Sequence, residues 1–228
     1  MKDRKGCAEK RDPGSRGLWI AFYGPDGVGK SAVIGSLQAK PGGAFSRCLC
    51  FHFRPRFGGR AYERPPVTAP HAQSPRGLLI TMIKLAYWLL DCWLGYLFMV
   101  MPATSRSQLV VFDRYLPDIL VDPMRYRLPM SAGKIASVIV RLAPRPDLNV
   151  LLDAPAESVQ RRKQEVSLAE SQRQRVAYRK LLASLPNTLV IDASGPIAEV
   201  TQNVDTAILS VTLRATRSSV PLADLRAD

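Results

Sequence analysis

Cysteine and histidine are scarce in this chain, and that scarcity removes several classes of chemistry at once. There are four cysteines, Cys7, Cys48, Cys50 and Cys92, and two histidines. No pair has C-x-x-C spacing, which argues against a zinc or iron–sulfur centre. Cys48 and Cys50 stand two apart in a strand-like run and face one side, as buried reduced thiols do. The first dozen residues, MKDRKGCAEKRD, mix both signs and contain no apolar run of the secretory type. A reducing, cytoplasmic location is the expectation. Acidic residues are also few, 19 against 32 lysines and arginines, for a formal charge of +13 and a pI near 10.0. That balance favours anionic partners such as nucleotides or phosphorylated acceptors. Nucleic acid is not favoured, since no zinc-finger, helix-turn-helix or RNP-like pattern is present. No internal repeat stands out at a fixed period.

Against these absences stands one well-formed motif. Gly24-Pro25-Asp26-Gly27-Val28-Gly29-Lys30-Ser31 fits G-x-x-x-x-G-K-[ST]. It follows an apolar run, Leu18 to Tyr23, and precedes a helix-forming run, Ser31 to Ala39. Strand, glycine loop and helix in that order form a phosphate-binding loop. The glycines let backbone N–H groups point inward, and the helix start adds its own free N–H groups, Ala32 among them. Lys30 is placed to reach the β- and γ-phosphates of ATP, and the Ser31 hydroxyl to bind Mg²⁺. The bland alternative is a glycine-rich turn that happens to end in Lys-Ser.

The remaining strands read as short apolar runs: about Arg47 to Phe53, Leu109 to Phe112, Leu148 to Leu152 and Thr188 to Ile191. The last three end in Asp113, Asp153 and Asp192. Helices lie between them, at about 118–143 with a break near Pro129, 156–165, 168–185 and 196–213. The alternation predicts an α/β fold, a mainly parallel sheet with helices on both faces, in one domain over 16–213. Residues 1–15 and 214–228 read as flexible tails. The Pro-, Gly- and Arg-rich stretch Arg54 to Arg76 reads as a long functional loop.

Gly77 to Met101 is the most apolar part of the chain and long enough to span a bilayer. Thr81, Lys84, Trp88, Asp91 and Gly95 form one stripe at helical spacing. An apolar helix with a single polar stripe suits a core helix whose stripe lines a pocket. Charges at the centre of a membrane helix cost about 2.5–3.5 kcal/mol each, which counts against spanning. A membrane-associated helix remains an alternative, helped by the basic charge.

Ligands in such sheets sit at the carboxyl ends of strands, where Asp113 and Asp153 both fall. Asp113 is followed by Arg114 and Tyr115, a carboxylate for metal or proton work beside a cation for the transferring phosphoryl; a surface ion pair is the plain alternative. Asp153, before Ala154-Pro155-Ala156-Glu157, suits helix capping as well. Arg161, Arg162 and Lys163, then Arg173 and Arg175, are either a solvated face or a lid that closes cations over the γ-phosphate. The loop positions Pro25, Asp26, Gly27 and Val28 include no arginine, so a stabilising guanidinium has to come from elsewhere.

GPDGVGKS, Asp113-Arg114-Tyr115, LLDAPAESVQRRKQE and VIDAS occur in the order found in thymidylate kinases, and the chain resembles that family from Leu18 to Leu213. The resemblance implies a P-loop NTPase fold and Mg²⁺-dependent transfer of the γ-phosphoryl of ATP to a nucleoside monophosphate. It places Asp26 at the acceptor, Asp113 and Arg114 at the transferred phosphoryl, Arg161 and Arg162 in the lid, and residues 193–196 near adenine. Two departures fall on the acceptor side. The family usually carries Arg-Gln on the helix before D-R-Y, where this chain has the apolar Gly77 to Met101 with Lys84 and Asp91. The family's second strand commonly ends in R-E-P, where this chain reads Phe53-Arg54-Pro55. The run DRYLPDILVDPMRYRLP is similar to a subgroup from bacterial envelope-polysaccharide gene sets, whose acceptor can be a sugar or glycan-linked group. Arg54, Lys84, Asp91, Tyr115 and Asp26 are the expected acceptor contacts. A homodimer and a non-catalytic, membrane-associated nucleotide-binding protein complete the alternatives.

Overall fold

The computed structural model describes residues 16–39, 45–55, 76–162 and 167–218. Five strands, β1 (Leu18–Tyr23), β2 (Cys48–His52), β3 (Leu109–Asp113), β4 (Leu148–Asp153) and β5 (Thr188–Asp192), form one sheet in the order β2-β3-β1-β4-β5. Every pairing is parallel. The central strand β1 is buried along its whole length, as a sheet covered on both faces requires.

Alternation along the strands divides the core in two. Trp19, Ala21 and Tyr23 of β1 join Val110 and Phe112 of β3 beneath α2 (Leu78–Gly95), α4 (Gly133–Leu142) and α6 (Leu168–Ala183). Leu18, Ile20 and Phe22 meet α1 (Lys30–Ala39) and α7 (Ile197–Ser218) on the other face, with Val159 of α5 (Ala156–Arg162) beside them. The order reverses direction at β1, so the carboxyl ends of β1 and β3 open on a crevice at that switch point.

Three features differ from the sequence reading. Residues 118–143 form only one full α-helix, α4, preceded by two short 3₁₀ turns, Leu116–Leu120 and Met130–Ala132, because Pro117, Pro123 and Pro129 break the run. The apolar helix leaves α-geometry at Tyr96–Val100 in a π-turn before closing as α3 (Met101–Ser105). The polar stripe of α2 does face inward, with Thr81, Trp88 and Asp91 buried beside Leu85 and Cys92, but the opposite side is not that of a core helix: Leu79 and Ile83, and Phe98 in the π-turn, are 71, 64 and 62 % exposed. Of the expected tails 1–15 and 214–228, residues 214–218 continue helix α7, and 1–15 and 219–228 lie outside the described residues, as do Cys7 and residues 56–75 of the expected loop.

Candidate active site

The loop after β1 bends through three glycines with positive φ: Gly24 at 142°, Gly27 at 81° and Gly29 at 107°. Gly24 has a second constraint, since a Cβ there would lie 2.5 Å from the carbonyl oxygen of Leu152 on β4. Lys30 begins α1 and folds back over the loop, its Nζ donating to the carbonyls of Gly24 at 2.8 Å and Pro25 at 2.7 Å. Burial, with help from Arg114, pushes the ammonium pKa down to about 8 against the pull of Asp113 and Asp26. A buried ammonium held by carbonyl oxygens is a cation waiting for a stronger anion.

Asp113 ends β3 and sits opposite Phe22 of β1 and His52 of β2 in register. It shares a small cavity of about 80 Å³ with Ser31, Gln38 and Cys50. One carboxylate oxygen, Oδ1, is buried with no hydrogen-bond partner among the described residues, while Oδ2 lies 3.7 Å from Nδ1 of His52. Burial pushes this carboxyl up, but His52, Lys30 and Arg114 outweigh it and hold it below its usual value. An orphaned carboxylate oxygen and a serine hydroxyl facing one cavity fit a small hard cation such as Mg²⁺.

Arg114 follows at φ 64°, a left-handed turn that sends its side chain into the crevice. Its guanidinium is buried and spends its donors on Asp26 Oδ1 at 2.5 Å, Asp118 Oδ1 at 2.9 Å and the Tyr178 hydroxyl. Tyr126 and Tyr178 each donate to Asp118 at 2.6 Å, which completes that carboxylate. Asp26 is held from a second side by Arg125, whose Nε also reaches Asp122 at 3.3 Å. Burial opposes ionisation of Asp26, and Arg114, Lys30 and Arg125 overcome it, so its carboxyl lies well below the usual range. Sequence reading missed Arg125, Asp118, Asp122, Tyr126 and Tyr178 as site residues. Arg125 and Tyr126 lie in a visible run, Arg-Tyr-Arg after Asp122-Pro123, but nothing local announces a return to Asp26.

Arg54, Lys84 and Asp91, expected from the sequence as acceptor contacts, gather on a neighbouring wall. Arg54 pairs with Asp91 at 2.6 Å and lies 5.4 Å from the Tyr87 and Trp88 rings. Lys84 donates to the Tyr126 carbonyl at 2.5 Å and sits over Trp88. Phe53 stacks on Tyr126 at 4.5 Å, so one aromatic cluster joins this wall to the Asp26 network. Tyr115 does not take part. The turn at Arg114 sends it the other way, into the core against Trp19 and Phe112, and it is fully buried.

The basic helices are arranged differently from a row of cations above the phosphate loop. Arg175 and Arg179 both clamp Asp153, at 2.7 and 2.5 Å, and Arg173 pairs with Glu170. Arg161 and Arg162 close α5; their side chains, and Lys163, lie outside the described residues. The turn 193–196 is anchored by the Ala193 N–H on the Asp153 carbonyl at 2.7 Å. Ile197, which follows it, packs beside Gly29, so this turn borders the phosphate loop.

No family model matches the chain. Thymidylate kinase of Xanthomonas campestris pv. campestris, strain B100, is 28% identical over 205 residues, covering 85% of this chain and 84% of that protein. The same values hold for the enzyme of strain 8004. Among solved structures, thymidylate kinase from Candida albicans superposes with a TM-score of 0.61 at 16% identity, covering 86% of this chain and 92% of that one. The chain is a distant relative of thymidylate kinases and has their P-loop fold.

Proposed function

We propose that this distant relative of the thymidylate kinases transfers the γ-phosphoryl of ATP to a nucleoside monophosphate such as thymidylate. The observation that carries the reading is the convergence of Lys30, Ser31, Asp113, Arg114 and Asp26 on one crevice. Loop amides 24–29 and the first turn of α1 bind the polyphosphate, and Lys30 leaves its two carbonyls to pair with it. Ser31 and Asp113 would hold Mg²⁺, which when bound neutralises charge on the phosphates. Arg114 offers a guanidinium to the transferred group, and Asp26, kept ionised, accepts a hydrogen bond from the acceptor. Arg161 and Arg162 are the proposed lid cations.

A specific observation favours a second acceptor class. The expected acceptor cations are already committed, Arg54 to Asp91 and Lys84 to the Tyr126 carbonyl. A wall of paired charges and aromatic faces also suits a sugar or glycan-linked hydroxyl acceptor of envelope polysaccharide synthesis.

Incubation with ATP, Mg²⁺ and thymidylate, followed by mass analysis, tests the reading. Thymidine diphosphate should form, and Lys30→Ala should lower the rate by about 100-fold or more. Phosphorylation of a sugar acceptor, with thymidylate untouched, selects the second class. Unchanged turnover in Lys30→Ala contradicts both.

A further inference from the structure

Helix α2 carries its polarity inside out. Thr81 and Asp91 are buried with Leu85 and Cys92 against the body of the protein, while Leu79, Ile80, Ile83 and Leu90, and Phe98 in the π-turn that follows, project into solvent. A continuous apolar face of this kind is unlike the scattered apolar side chains of an ordinary surface. Helix α4 lies alongside, tied to α2 by the Trp93 indole N–H on the Leu142 carbonyl at 3.0 Å. It extends the face with exposed Val138 and Leu142.

Among the described residues 76–145, the exposed charge has one sign. From residue 76 to residue 145 the acids are Asp91, Asp113, Asp118 and Asp122, and each of them is buried. The cations in the same stretch include exposed Arg76 just before α2 and exposed Arg106 just after α3. Lys134 and Arg141 stand on the outward side of α4, one turn either side of Val138. The surface contributed by this stretch is therefore apolar and positive, with no exposed carboxylate.

We infer that this face docks on an anionic lipid bilayer, with α2 lying in the headgroup plane. Its aliphatic side chains enter the acyl boundary, and Arg76, Arg106, Lys134 and Arg141 meet lipid phosphates. Tyr87 and Trp93, exposed rings with polar tips, suit that interfacial depth. The helix lies on the bilayer and does not cross it, since Arg54 and Asp91 pin its inner side to the protein and crossing would strand that buried pair. Charge also separates lipid from a second copy of the chain. A copy presenting the same face brings cations to cations, whereas anionic lipid supplies the missing opposite sign.

Flotation with vesicles of phosphatidylglycerol and phosphatidylcholine, compared with phosphatidylcholine alone, tests this on the full chain. The protein should float with the anionic vesicles and stay behind with the neutral ones. Ile83→Gln with Leu90→Gln, at exposed positions outside the crevice, should abolish flotation and leave the thermal melt and ATP binding unchanged. Lys134→Glu with Arg141→Glu should weaken it by about tenfold or more. Absence of flotation with either vesicle overturns the inference, as does equal flotation with both. Light scattering that shows a dimer, dissociated by the Gln pair and indifferent to lipid, assigns the face to a second copy and overturns it as well. None of these results depends on which acceptor the crevice phosphorylates.

Discussion

Lys30 holds its charge in a buried place, and its proton therefore reports what binds there. Its pKa of about 8 in the ligand-free protein lies below the ordinary 10.5, so between those values the folded protein binds fewer protons than the unfolded chain. Stability from this group accordingly rises as pH climbs through that window. A polyphosphate in the loop reverses the environment and draws the proton back. ATP binding at a pH midway between the two values should take up a proton, read as a dependence of the calorimetric heat on buffer ionisation enthalpy. A heat independent of buffer would place the polyphosphate away from Lys30. Asp26 carries the opposite charge, but its pH dependence runs in the same direction. Its folded pKa is depressed, so its contribution is present above the unfolded value near 4 and lost as pH falls through the lower folded one. Arg125→Gln removes one of the cations responsible and should move the acid-unfolding midpoint to higher pH. An unmoved midpoint would show that Arg114 and Lys30 suffice.

At the scale of elements, the loop after β2 and helix α2 act as one wall. Phe53 takes φ 63° at the end of β2 and donates its N–H to the Asp113 carbonyl at 3.0 Å, which turns the chain toward α2. Pro55 then lies so close to Gly95 that a Cβ there would fall 2.2 Å from the proline ring. Gly95→Ala should cost about 1–3 kcal/mol in a urea melt, and by displacing Pro55 and Arg54 it should raise the acceptor KM while sparing that of ATP. Gly35 on α1 has nothing within 4 Å of its virtual Cβ, so Gly35→Ala should stabilise by about 0.5–1 kcal/mol and serves as the control. Equal melts for the two variants would mean that the Pro55 contact carries no weight. The strands and the phosphate loop were legible because their signals are local: an apolar run, then an Asp or a glycine motif. The orientation of α2 was only half legible. Its polar stripe showed in the sequence, but the stripe faces inward because Arg54 arrives from β2 to pair with Asp91, and that partner is far away in the chain.

Across the described fold, the parallel sheet gathers the ends of β1, β2 and β3 at one crevice. The Asp26 network joins residues separated by 88 and 99 positions, and Tyr178 comes from α6, 60 positions beyond Asp118. No window of sequence contains such a set, so reading the chain reached Asp26, Asp113 and Arg114 but not the residues that hold them. The same distance effect explains Arg175, which a charge run suggested for a lid and which the fold pairs with Asp153. Calorimetric titration with ATP and Mg²⁺ examines the crevice as a unit. Saturable heat from a single site should appear in the native chain, vanish in Lys30→Ala, and lose its dependence on Mg²⁺ in Asp113→Asn. No heat in the native chain, or heat unaltered by both substitutions, would contradict the assignment of this crevice to ATP.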